Sequence, residues 1–322
     1  MKLSRIIFLI PLMMAACGSG FEIPDPIPGG KPGGSTPGDE DPVETPATPE
    51  NPPENPPEMK LGMLYADGND AGTYDLILRC GYNKEQPDSS GAHSSEHFRH
   101  IRQRYDNILR KYVFDFYLHI QNDDDRGLKN ITDRQRNEIK TDAKSPACMV
   151  AQNGETLRMS WKFMLPAGMK TTNKFSHIHQ LKGIDNSAGN ADVGNPLITF
   201  TCRSLSSGGQ QFQIIHTAPT SQGSTNTTFV KVDLKEFLGQ WVTVTETVKF
   251  SEQGSYTVSI VRMSDGKELV SVKNKELYLW RDGTTGLRPK WGLYRYFGEG
   301  RSMASQLRDE ILSFADFNIE KL

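Results

Sequence analysis

The sequence FSHIHQLKG at residues 175–183 has the composition of a β-strand and carries two histidines two positions apart. Successive side chains of a strand point to opposite faces of its sheet, so His177 and His179 are predicted to share one face. RQRNEIK at residues 134–140 places four charged side chains on one face by the same rule, and KWGLYRY at residues 290–296 places two tyrosines together. If these faces meet, they form a cationic groove that contains both a base and an acid.

Short runs rich in valine, threonine and aromatic residues recur through the second half of the chain, separated by glycine, asparagine and aspartate. The predicted strands are 112–120, 135–142, 156–165, 174–183, 197–204, 211–217, 240–250, 255–262, 268–273, 289–297 and 310–321. Many strands without alternating helices indicate two antiparallel sheets packed face to face. The predicted fold class is therefore an all-β antiparallel β-sandwich of the jelly-roll, concanavalin-like type with one peripheral helix.

Two elements are predicted before these strands. YDLILRC at residues 74–80 has the look of a first strand. Between Ser95 and Lys111, apolar residues such as Phe98, Ile101 and Tyr105 recur at three- and four-residue spacing, which predicts an amphipathic helix. This helix is expected to pack outside the sandwich.

The N-terminal segment has the features of an export signal. Lys2 and Arg5 precede an apolar run, and Ala15 and Ala16 stand directly before Cys17. This arrangement resembles a bacterial lipoprotein signal, in which Cys17 would carry the lipid. The alternative is an ordinary secretion signal with an incidental cysteine. The resemblance implies a cell-envelope protein that is lipid-anchored to the outer membrane.

A proline-rich segment follows the signal. Residues 18–58 contain 12 of the chain's 19 prolines, together with glycine and acidic residues, and cannot bury enough apolar surface to fold. We therefore expect three parts: the signal and anchor at 1–17, a disordered tether at 18–58, and one β-jelly-roll domain at 59–322. The tether carries a net charge of −8 and the signal +2, which leaves +4 for the domain out of the total of −2. A mildly basic domain suits an anionic ligand and is too weakly charged to predict a nucleic-acid partner.

Neither the cysteines nor the histidines form a recognisable metal motif. Beyond Cys17, the three cysteines Cys80, Cys148 and Cys202 allow at most one disulfide and one free thiol. His93, His97 and His100 have spacing compatible with zinc, but such a cluster at a solvated helix start is more often surface. For His177 and His179, acid–base chemistry fits better than metal binding, and a structural role for both is the alternative. No metal or other cofactor is predicted.

The three runs resemble, in order and approximate spacing, the motifs of the jelly-roll polysaccharide lyases of the alginate-lyase or heparin-lyase type. Those motifs are R-(S/T)-E-x-R, Q-I-H and Y-F-K-A-G-x-Y-x-Q. The corresponding segments here are 136–140, 177–179 and 290–296. Three positions depart from the pattern: Lys140 replaces an arginine, His177 a glutamine and Tyr296 a glutamine. Because the glutamine at the position of His177 is expected to bind the substrate carboxylate, its replacement leaves open a uronic acid other than those of alginate.

The resemblance implies β-elimination at a 4-linked uronate in an anionic polysaccharide. Arg136, Gln180 or His177 would bind the carboxylate, His179 or Tyr294 would remove the C5 proton, and Tyr294 would protonate the departing oxygen. Some such lyases use calcium structurally, and the acidic loop 123–125 is the candidate for it. The remaining polar side chains of the three runs are assigned to substrate binding: Arg134, Glu138, Lys140, Lys182, Lys290, Arg295 and Tyr296.

Two other classes remain open at this stage. A retaining glycoside hydrolase needs two carboxylates about 5–5.5 Å apart, and its usual strand signature E-x-D-x-x-E is absent. A non-catalytic glycan-binding lipoprotein would suit the anchor, the tether and the sandwich equally well. It would need an aromatic platform but no positioned base. The chain is expected to act as a monomer.

Overall fold

The computed structural model describes residues 60–89, 93–128, 130–220 and 223–322. The predicted signal peptide with Cys17 and the predicted tether at 18–58 lie outside the described residues. Within these ranges, none of the helices combines the length and the apolar character needed to span a membrane.

The described residues form two sheets in which all paired strands run antiparallel. Sheet I has eight strands in the order β13-β12-β11-β6-β15-β4-β3, with β1 paired to β15. Its strands are β1 (Met63–Leu64), β3 (Ile101–Asp106), β4 (Lys111–Leu118), β6 (Thr156–Met164), β11 (Trp241–Lys249), β12 (Gly254–Arg262), β13 (Glu268–Leu277) and β15 (Glu310–Lys321).

Sheet II has seven strands in the order β10-β9-β8-β7-β14-β5-β2. Its strands are β2 (Asn83–Glu85), β5 (Arg134–Lys140), β7 (Ser176–Ile184), β8 (Ile198–Ser204), β9 (Gln210–Thr220), β10 (Gly223–Asp233) and β14 (Gly286–Tyr296). The helices are α1 (Thr73–Arg79) and α2 (His93–Glu96), and short 3-10 turns lie at Asp70–Gly72, Ala147–Met149, Leu234–Glu236, Glu299–Arg301 and Ala304–Gln306. The predicted antiparallel β-sandwich is confirmed.

The two sheets bury one aromatic core between them. The Trp161 ring of β6 packs edge-on against the Trp291 ring of β14, with ring centroids 5.6 Å apart. Phe163 of β6 stacks on Phe212 of β9 at 6.4 Å. Because every strand alternates its side chains, the opposite face of sheet II is free to carry polar groups. This outer face is where the predicted groove residues are found.

The prediction of a strand at residues 74–80 is wrong, because this segment forms helix α1. Its buried residues Thr73, Leu76, Ile77 and Cys80 follow the spacing of one helix face. The clustered aliphatic residues favoured a strand locally, but packing of this face against the sandwich decides in favour of the helix.

The prediction of a helix from Ser95 to Lys111 is also wrong. Its central residues Ile101–Asp106 form β3, which pairs with β4 as a hairpin. The turn is made by Asp106, whose Oδ1 accepts the backbone N–H groups of Ile108 at 3.0 Å and Leu109 at 2.8 Å. Ile108 is 69% exposed at this turn, so its place in the apparent helical stripe carried no information about burial.

The strands predicted from Tyr112 onward match the observed ones to within a few residues at each end. The sequence analysis missed β10, whose residues are mostly polar and exposed, and the short strands β1 and β2. Cys80, Cys148 and Cys202 are all free thiols, so none of the disulfides that the cysteine count allowed is present among them.

A polar pair is buried inside the sandwich between the sheets. The His179 Nε2 of β7 lies 3.0 Å from a Glu246 carboxylate oxygen of β11, and the other oxygen of that carboxylate accepts the Tyr256 hydroxyl at 2.6 Å. The His179 Nδ1 lies 2.8 Å from the backbone carbonyl of Lys290, which identifies Nδ1 as the protonated nitrogen. A buried carboxylate is tolerated only when it is hydrogen-bonded in this way. His179 therefore joins the two sheets.

Candidate active site

The alternation of side chains between the two faces of the sheet is interrupted once along β7. His177 is paired with Tyr294 of β14, whereas His179 is paired with Trp291, and the register shifts between these two pairs. The register with β8 shifts at the same place. As a result Ile178 and His179 both point into the core, although they are consecutive, while His177 and Gln180 both point to the outer face of sheet II.

The prediction that His179 faces the groove is therefore wrong. Its side chain is fully buried against the rings of Trp161, Phe200 and Trp291 at 4.6, 4.9 and 5.3 Å. It lies on the opposite face of the sheet from Tyr294 and cannot contact a ligand there. The imidazole in the groove belongs to His177.

The outer face of sheet II holds a cavity of about 260 Å³. Strands β5, β7, β8, β9, β10 and β14 supply most of its walls, and Phe175 just before β7 and the loop before β8 supply the rest. We call it the cleft. It is lined by Arg134, Phe175, His177, Gln180, Lys182, Gly194, Asn195, Pro196, Thr199, Arg203, Ile215, Thr217, Asn226 and Tyr294.

Tyr294 is held from two sides by arginines of the neighbouring strand β5. The Arg134 Nη1 donates a hydrogen bond of 2.9 Å to the Tyr294 hydroxyl oxygen. The Arg136 guanidinium lies 3.8 Å from the centre of the phenol ring, in cation–π geometry. Since the hydroxyl oxygen accepts from Arg134, its own proton is directed elsewhere and is available to a ligand in the cleft.

His177 presents a neutral imidazole to the cleft. Its ring stacks on Phe175 at 4.8 Å with the planes 9° apart, and its Nδ1 is buried without a hydrogen-bond partner among the described residues. Burial, and then the positive charges of Arg203, Arg136 and nearby lysines, lower the pKa of His177 to about 3. At neutral pH a histidine in this state is uncharged, and one of its ring nitrogens carries a lone pair. Its ring centre lies 6.1 Å from that of Tyr294.

Arg136 is already surrounded by carboxylates. Its Nε lies 2.7 Å from Asp125, and its Nη1 lies 3.2 Å from Glu85 and 3.1 Å from Glu138. Burial lowers the pKa of this guanidinium, but the three carboxylates outweigh burial and raise it. With its donors occupied, Arg136 supports the Tyr294 ring from below rather than offering a free fork to a substrate carboxylate.

Beneath the cleft, Glu85 and Glu138 are the hubs of a buried charge network that we call the floor network. Glu85 pairs with Lys290 at 2.6 Å and with Lys140 at 2.8 Å, while Glu138 pairs with Lys290 at 2.5 Å and accepts the Gln180 amide. Burial raises the pKa of Glu85, but Lys290, Arg136 and Lys140 together lower it by more than burial raises it. The carboxylate therefore stays ionised. The sequence analysis missed Glu85, because the strand that carries it has three residues and no motif.

Within the described ranges, two cations of the cleft wall, Lys182 and Arg203, form no ion pair with a carboxylate. The Lys182 ammonium donates 3.2 Å to the backbone carbonyl of Gly194, and the Arg203 Nε is buried without a partner among the described residues. Arg288, opposite Lys182 on β14, also has two guanidinium nitrogens without partners in the described part of the chain. Burial, followed by Lys290 and Arg136, lowers the pKa of Lys182 to about 8. Burial also lowers the pKa of Arg203.

Most of the site residues predicted from the sequence do meet at the cleft or directly below it. Those that do are Arg134, Arg136, Glu138, Lys140, His177, Gln180, Lys182, Lys290 and Tyr294. Tyr296 lies beside them, with its ring 5.8 Å from that of Phe175. The assignment of Arg295 to substrate binding is wrong, since this side chain is buried and donates to Gln135 and to the Arg308 carbonyl.

Arg203 is the cleft residue that sequence reasoning missed. It stands two positions after Thr201, which pairs with His177, so strand alternation places it on the cleft face. A lone arginine near the end of the run ITFTCRS carried no signal until β8 was known to lie beside β7.

The acidic loop at residues 123–125 does not gather its carboxylates into a calcium site. The Asp123 carboxylate is directed to His100 and His119, that of Asp125 pairs with Arg126 and Arg136, and Asp124 accepts the backbone N–H of Gly127. Calcium requires six to eight oxygen ligands around one point. These three residues do not fit it.

The fold and the cleft together define a β-sandwich protein with a cationic binding face. The chain belongs to the polysaccharide lyase family, whose family model matches residues 100–311. It is therefore an enzyme of the lyase class that acts on polysaccharides. No curated protein matches the chain in sequence.

Several solved structures are similar to this chain. An endo-β-1,4-glucuronan lyase from the fungus Trichoderma reesei is 13% identical, with 74% of this chain and 94% of that one covered and a TM-score of 0.47. An alginate lyase from Pseudomonas aeruginosa is 14% identical, with coverages of 75% and 98% and a TM-score of 0.45. An alginate lyase from Aplysia kurodai is 9% identical, with coverages of 81% and 99% and a TM-score of 0.49.

The floor network predicts a pH-dependent loss of stability in Glu85→Gln. At about pH 7 the substitution leaves Lys290 and Arg136 short of a buried counter-charge and is expected to lower the free energy of unfolding by about 3–5 kcal/mol. Because the folded-state pKa of Glu85 is lowered, its contribution is present above the unfolded-state pKa of about 4.3 and is lost as the pH falls below it. The difference between wild type and variant should therefore shrink towards about pH 3, as measured by urea unfolding.

The matched control is Glu276→Gln, at an exposed position of β13. This variant is expected to change the free energy of unfolding by about 0.5 kcal/mol or less. A difference for Glu85→Gln that stays constant from neutral to acidic pH would contradict the network.

Proposed function

We propose that this lyase cleaves a uronic-acid polysaccharide by β-elimination, with the reacting sugar bound in the cleft. The observation that carries the proposal is the composition of the cleft wall. Lys182 and Arg203, two cations that pair with no carboxylate of the described residues, share the cavity with the neutral imidazole of His177 and the Tyr294 hydroxyl. Among the described residues that line the cavity, none is acidic.

The unpaired cations are suited to the carboxylate of a uronate. Elimination begins with loss of the C5 proton, which is weakly acidic while the adjacent carboxylate carries a full negative charge. Hydrogen bonds and positive charge directed at that carboxylate stabilise the carbanion-like transition state. Arg203 and Lys182 can supply both, and the Gln180 amide lies beside them on the same strand as Lys182.

His177 is the proposed base. An imidazole nitrogen of His177 takes the C5 proton, and the electron pair of the C5–H bond becomes the C4–C5 double bond. Burial and, after it, the nearby cations keep His177 neutral in the free protein. The anionic sugar offsets the cations when it binds, which raises the affinity of the imidazole for the proton.

Tyr294 is the proposed acid. The C4–O4 bond breaks as the double bond forms, and the Tyr294 hydroxyl delivers its proton to the departing O4. The remaining phenolate oxygen keeps the hydrogen bond from Arg134, and the Arg136 guanidinium lies under its ring. Transfer of the proton from His177 back to Tyr294, directly or through water, restores the starting state.

A retaining hydrolase is disfavoured by the same cavity. It would need two carboxylates about 5–5.5 Å apart on either side of the sugar. The nearby carboxylates, Glu85 and Glu138, lie under the cleft and are held by Lys290 and Arg136.

The direct test is the ultraviolet absorbance of the unsaturated uronate product. The full chain is incubated with a panel of purified glucuronate, mannuronate, guluronate and galacturonate polymers, and with a neutral glucan. Rising absorbance on at least one uronate polymer and none on the glucan is expected. New reducing ends without the absorbance would indicate hydrolysis, and saturable binding without either product would indicate a glycan-binding protein.

Tyr294→Phe tests the acid. The variant loses only a hydroxyl, so folding and substrate affinity should survive while kcat falls by about 10²–10⁴. Steady-state rates and equilibrium binding are measured on the same polymer. Tyr105→Phe, in sheet I away from the cleft, is the matched control. Full turnover in Tyr294→Phe would remove Tyr294 from the mechanism.

His177→Gln and His179→Gln separate the two histidines of the FSHIHQLKG strand. His177→Gln should lose about 10²–10⁴ in kcat, because it removes the proposed base. His179→Gln should instead lower the free energy of unfolding by about 3–5 kcal/mol, because it disrupts the buried pair with Glu246. Urea unfolding and initial rates on folded protein distinguish the effects. The reverse result would show that the strand register is not as described.

Lys182 predicts how substrate affinity depends on pH. The lysine is charged below its pKa of about 8 and neutral above it, so KM should rise as the pH increases through that value. Loss of one charge-assisted hydrogen bond corresponds to about tenfold or more in affinity. Lys182→Arg keeps the charge and should remove this rise, whereas Lys249→Arg, on an exposed site of β11, should not. An unchanged pH profile in Lys182→Arg would exclude Lys182 from carboxylate binding.

For the whole chain we propose a lipid anchor at Cys17, placement at the outer membrane and action as a monomer. The sequence of residues 1–17 and the proline-rich composition of 18–58 support the first two. Incorporation of a labelled fatty acid into the native chain but not into Cys17→Ser tests the anchor, and membrane fractionation tests the location. Light scattering of the folded domain gives the number of copies.

A further inference from the structure

A second polar cluster lies outside the cleft, where α2, β3 and β4 come together. His93, His100, His119 and Asp123 each offer one donor atom, and these atoms all lie within 4.8 Å of one another. The Asp123 Oδ1 is 3.0 Å from the His100 Nε2 and 3.5 Å from the His93 Nε2. The Asp123 Oδ2 is 3.1 Å from the His119 Nδ1. Three imidazoles thus surround one carboxylate.

We propose that these four residues bind a single transition-metal ion, with zinc as the ion that fits best. The proposal is independent of the chemistry in the cleft. It also differs from the cluster considered in the sequence, because His97 is exposed and lies outside the group, while His119 and Asp123 complete it.

The hydrogen bonds of His93 point to a cation. The Asn122 side-chain nitrogen, which can only donate, lies 3.4 Å from the His93 Nε2. That nitrogen therefore carries a lone pair, which also faces the Asp123 carboxylate. The proton must then be on Nδ1, which is buried without a hydrogen-bond partner among the described residues. A lone pair that faces a carboxylate in a buried site is repulsive unless a positive charge lies between them.

The second shell of His100 has the arrangement found behind metal-bound histidines. Its Nδ1 lies 2.8 Å from the Asp88 carboxylate, and Asp88 in turn accepts the Tyr74 hydroxyl at 2.6 Å. A carboxylate in this position fixes the protonated nitrogen and turns the other lone pair towards the metal. In the absence of a metal, His100 would have to carry two protons to satisfy both Asp88 and Asp123.

The surroundings are dry and shaped by an aromatic ring. Asp123 and His100 are fully buried, and His93 is 7% exposed. The Phe98 ring packs against all three imidazoles, with centroids 4.9 Å from His93, 4.8 Å from His100 and 5.1 Å from His119. Exclusion of water strengthens metal–ligand interactions and disfavours exchange of the ion.

The ligand set selects the ion. Three imidazoles and one carboxylate suit zinc and neighbouring first-row metals, whereas calcium and magnesium prefer oxygen ligands. A tetrahedral site with bonds of about 2.1 Å has its donor atoms about 3.4 Å apart. The separations of 3.0 and 3.5 Å from the Asp123 Oδ1 to the nitrogens of His100 and His93 bracket this value, and all four donor atoms lie within 4.8 Å of one another.

The position of the cluster gives the ion a structural role. It would tie α2 and the segments flanking β3 and β4 to the loop that follows β4. That loop continues from Asp123 to Asp125, where the Asp124 carbonyl accepts the Arg136 backbone N–H at 3.1 Å and Asp125 pairs with the Arg136 side chain. The ion would thus fix the loop that positions Arg136, without contacting the cleft.

The test uses the full chain, stripped with a chelator and then titrated with zinc against a chromophoric competitor. One equivalent of bound zinc is expected, along with the intense visible absorption of a tetrahedral site when cobalt replaces zinc. Amide hydrogen exchange in the loop between Asn122 and Leu128 should slow when the ion binds. Failure to retain zinc, or the weak spectrum of octahedral cobalt, would overturn the proposal in favour of a proton-bridged cluster.

Variants assign the ligands. His119→Gln, at the most exposed ligand, should weaken zinc binding more than about 100-fold, and Asp88→Asn should weaken it by about 10–100-fold through His100. His97→Gln, three residues from His100 but outside the group, should bind zinc as the native chain does. Equal affinity in His119→Gln and wild type would overturn this ligand set. If a variant does not fold by circular dichroism, the cobalt spectrum of the native chain decides.

Discussion

Two consecutive residues of β7, Ile178 and His179, point to the same side of the sheet, and the composition of the cleft depends on that irregularity. With strict alternation, His177 and His179 would share the outer face, and Gln180 and Lys182 would have to enter the apolar core. Burying an unpaired ammonium among aromatic rings is far more costly than burying one imidazole whose two nitrogens both have hydrogen-bond partners. The bulge keeps both halves of the strand amphipathic, each in its own register.

The alternation of apolar and polar residues was enough to predict the sandwich, because eleven strands carry it locally. It did not show that β5, β7 and β14 adjoin, and only the resemblance of their three motifs to those of polysaccharide lyases indicated that their polar faces meet. It could not predict which histidine lies on that surface, since the shift in β7 depends on its pairing with β8 and β14. The helix prediction for residues 95–111 was wrong for a related reason. The apolar residues fit a helical spacing, but Asp106 makes a turn there and β4 supplies a partner strand.

Arg203, Glu85 and the histidine cluster share a different limitation. Each residue is isolated in the sequence and gains meaning only from neighbours that are distant along the chain. Glu85 meets Lys290 across 205 positions, and His93 meets Asp123 across two strands and their turn. Sequence periodicity reports the face on which a residue lies, whereas a site requires knowledge of which faces adjoin.

The cleft separates cations into two groups with different surroundings. Arg136 and Lys290 belong to the floor network, in which each positive charge is matched by buried carboxylates. Lys182 and Arg203 stand in the wall without such partners in the part of the chain that the structure describes. Buried matched charges fix geometry, and unmatched charges remain available to an incoming anion. Support of the Tyr294 ring and recognition of a ligand are thereby assigned to different residues.

This separation sets the routes by which the protein can change its specificity in the course of evolution. A single substitution in the floor network leaves an unpaired charge buried in the protein. Arg136 or Lys290 can therefore change only together with a compensating partner. Arg203 pairs with no carboxylate among residues 60–89, 93–128, 130–220 and 223–322, so its replacement leaves no carboxylate there unpaired and alters the charge of the wall alone. Single substitutions in the cleft wall can therefore change the substrate preference, while the floor network is expected to stay unchanged among descendant enzymes.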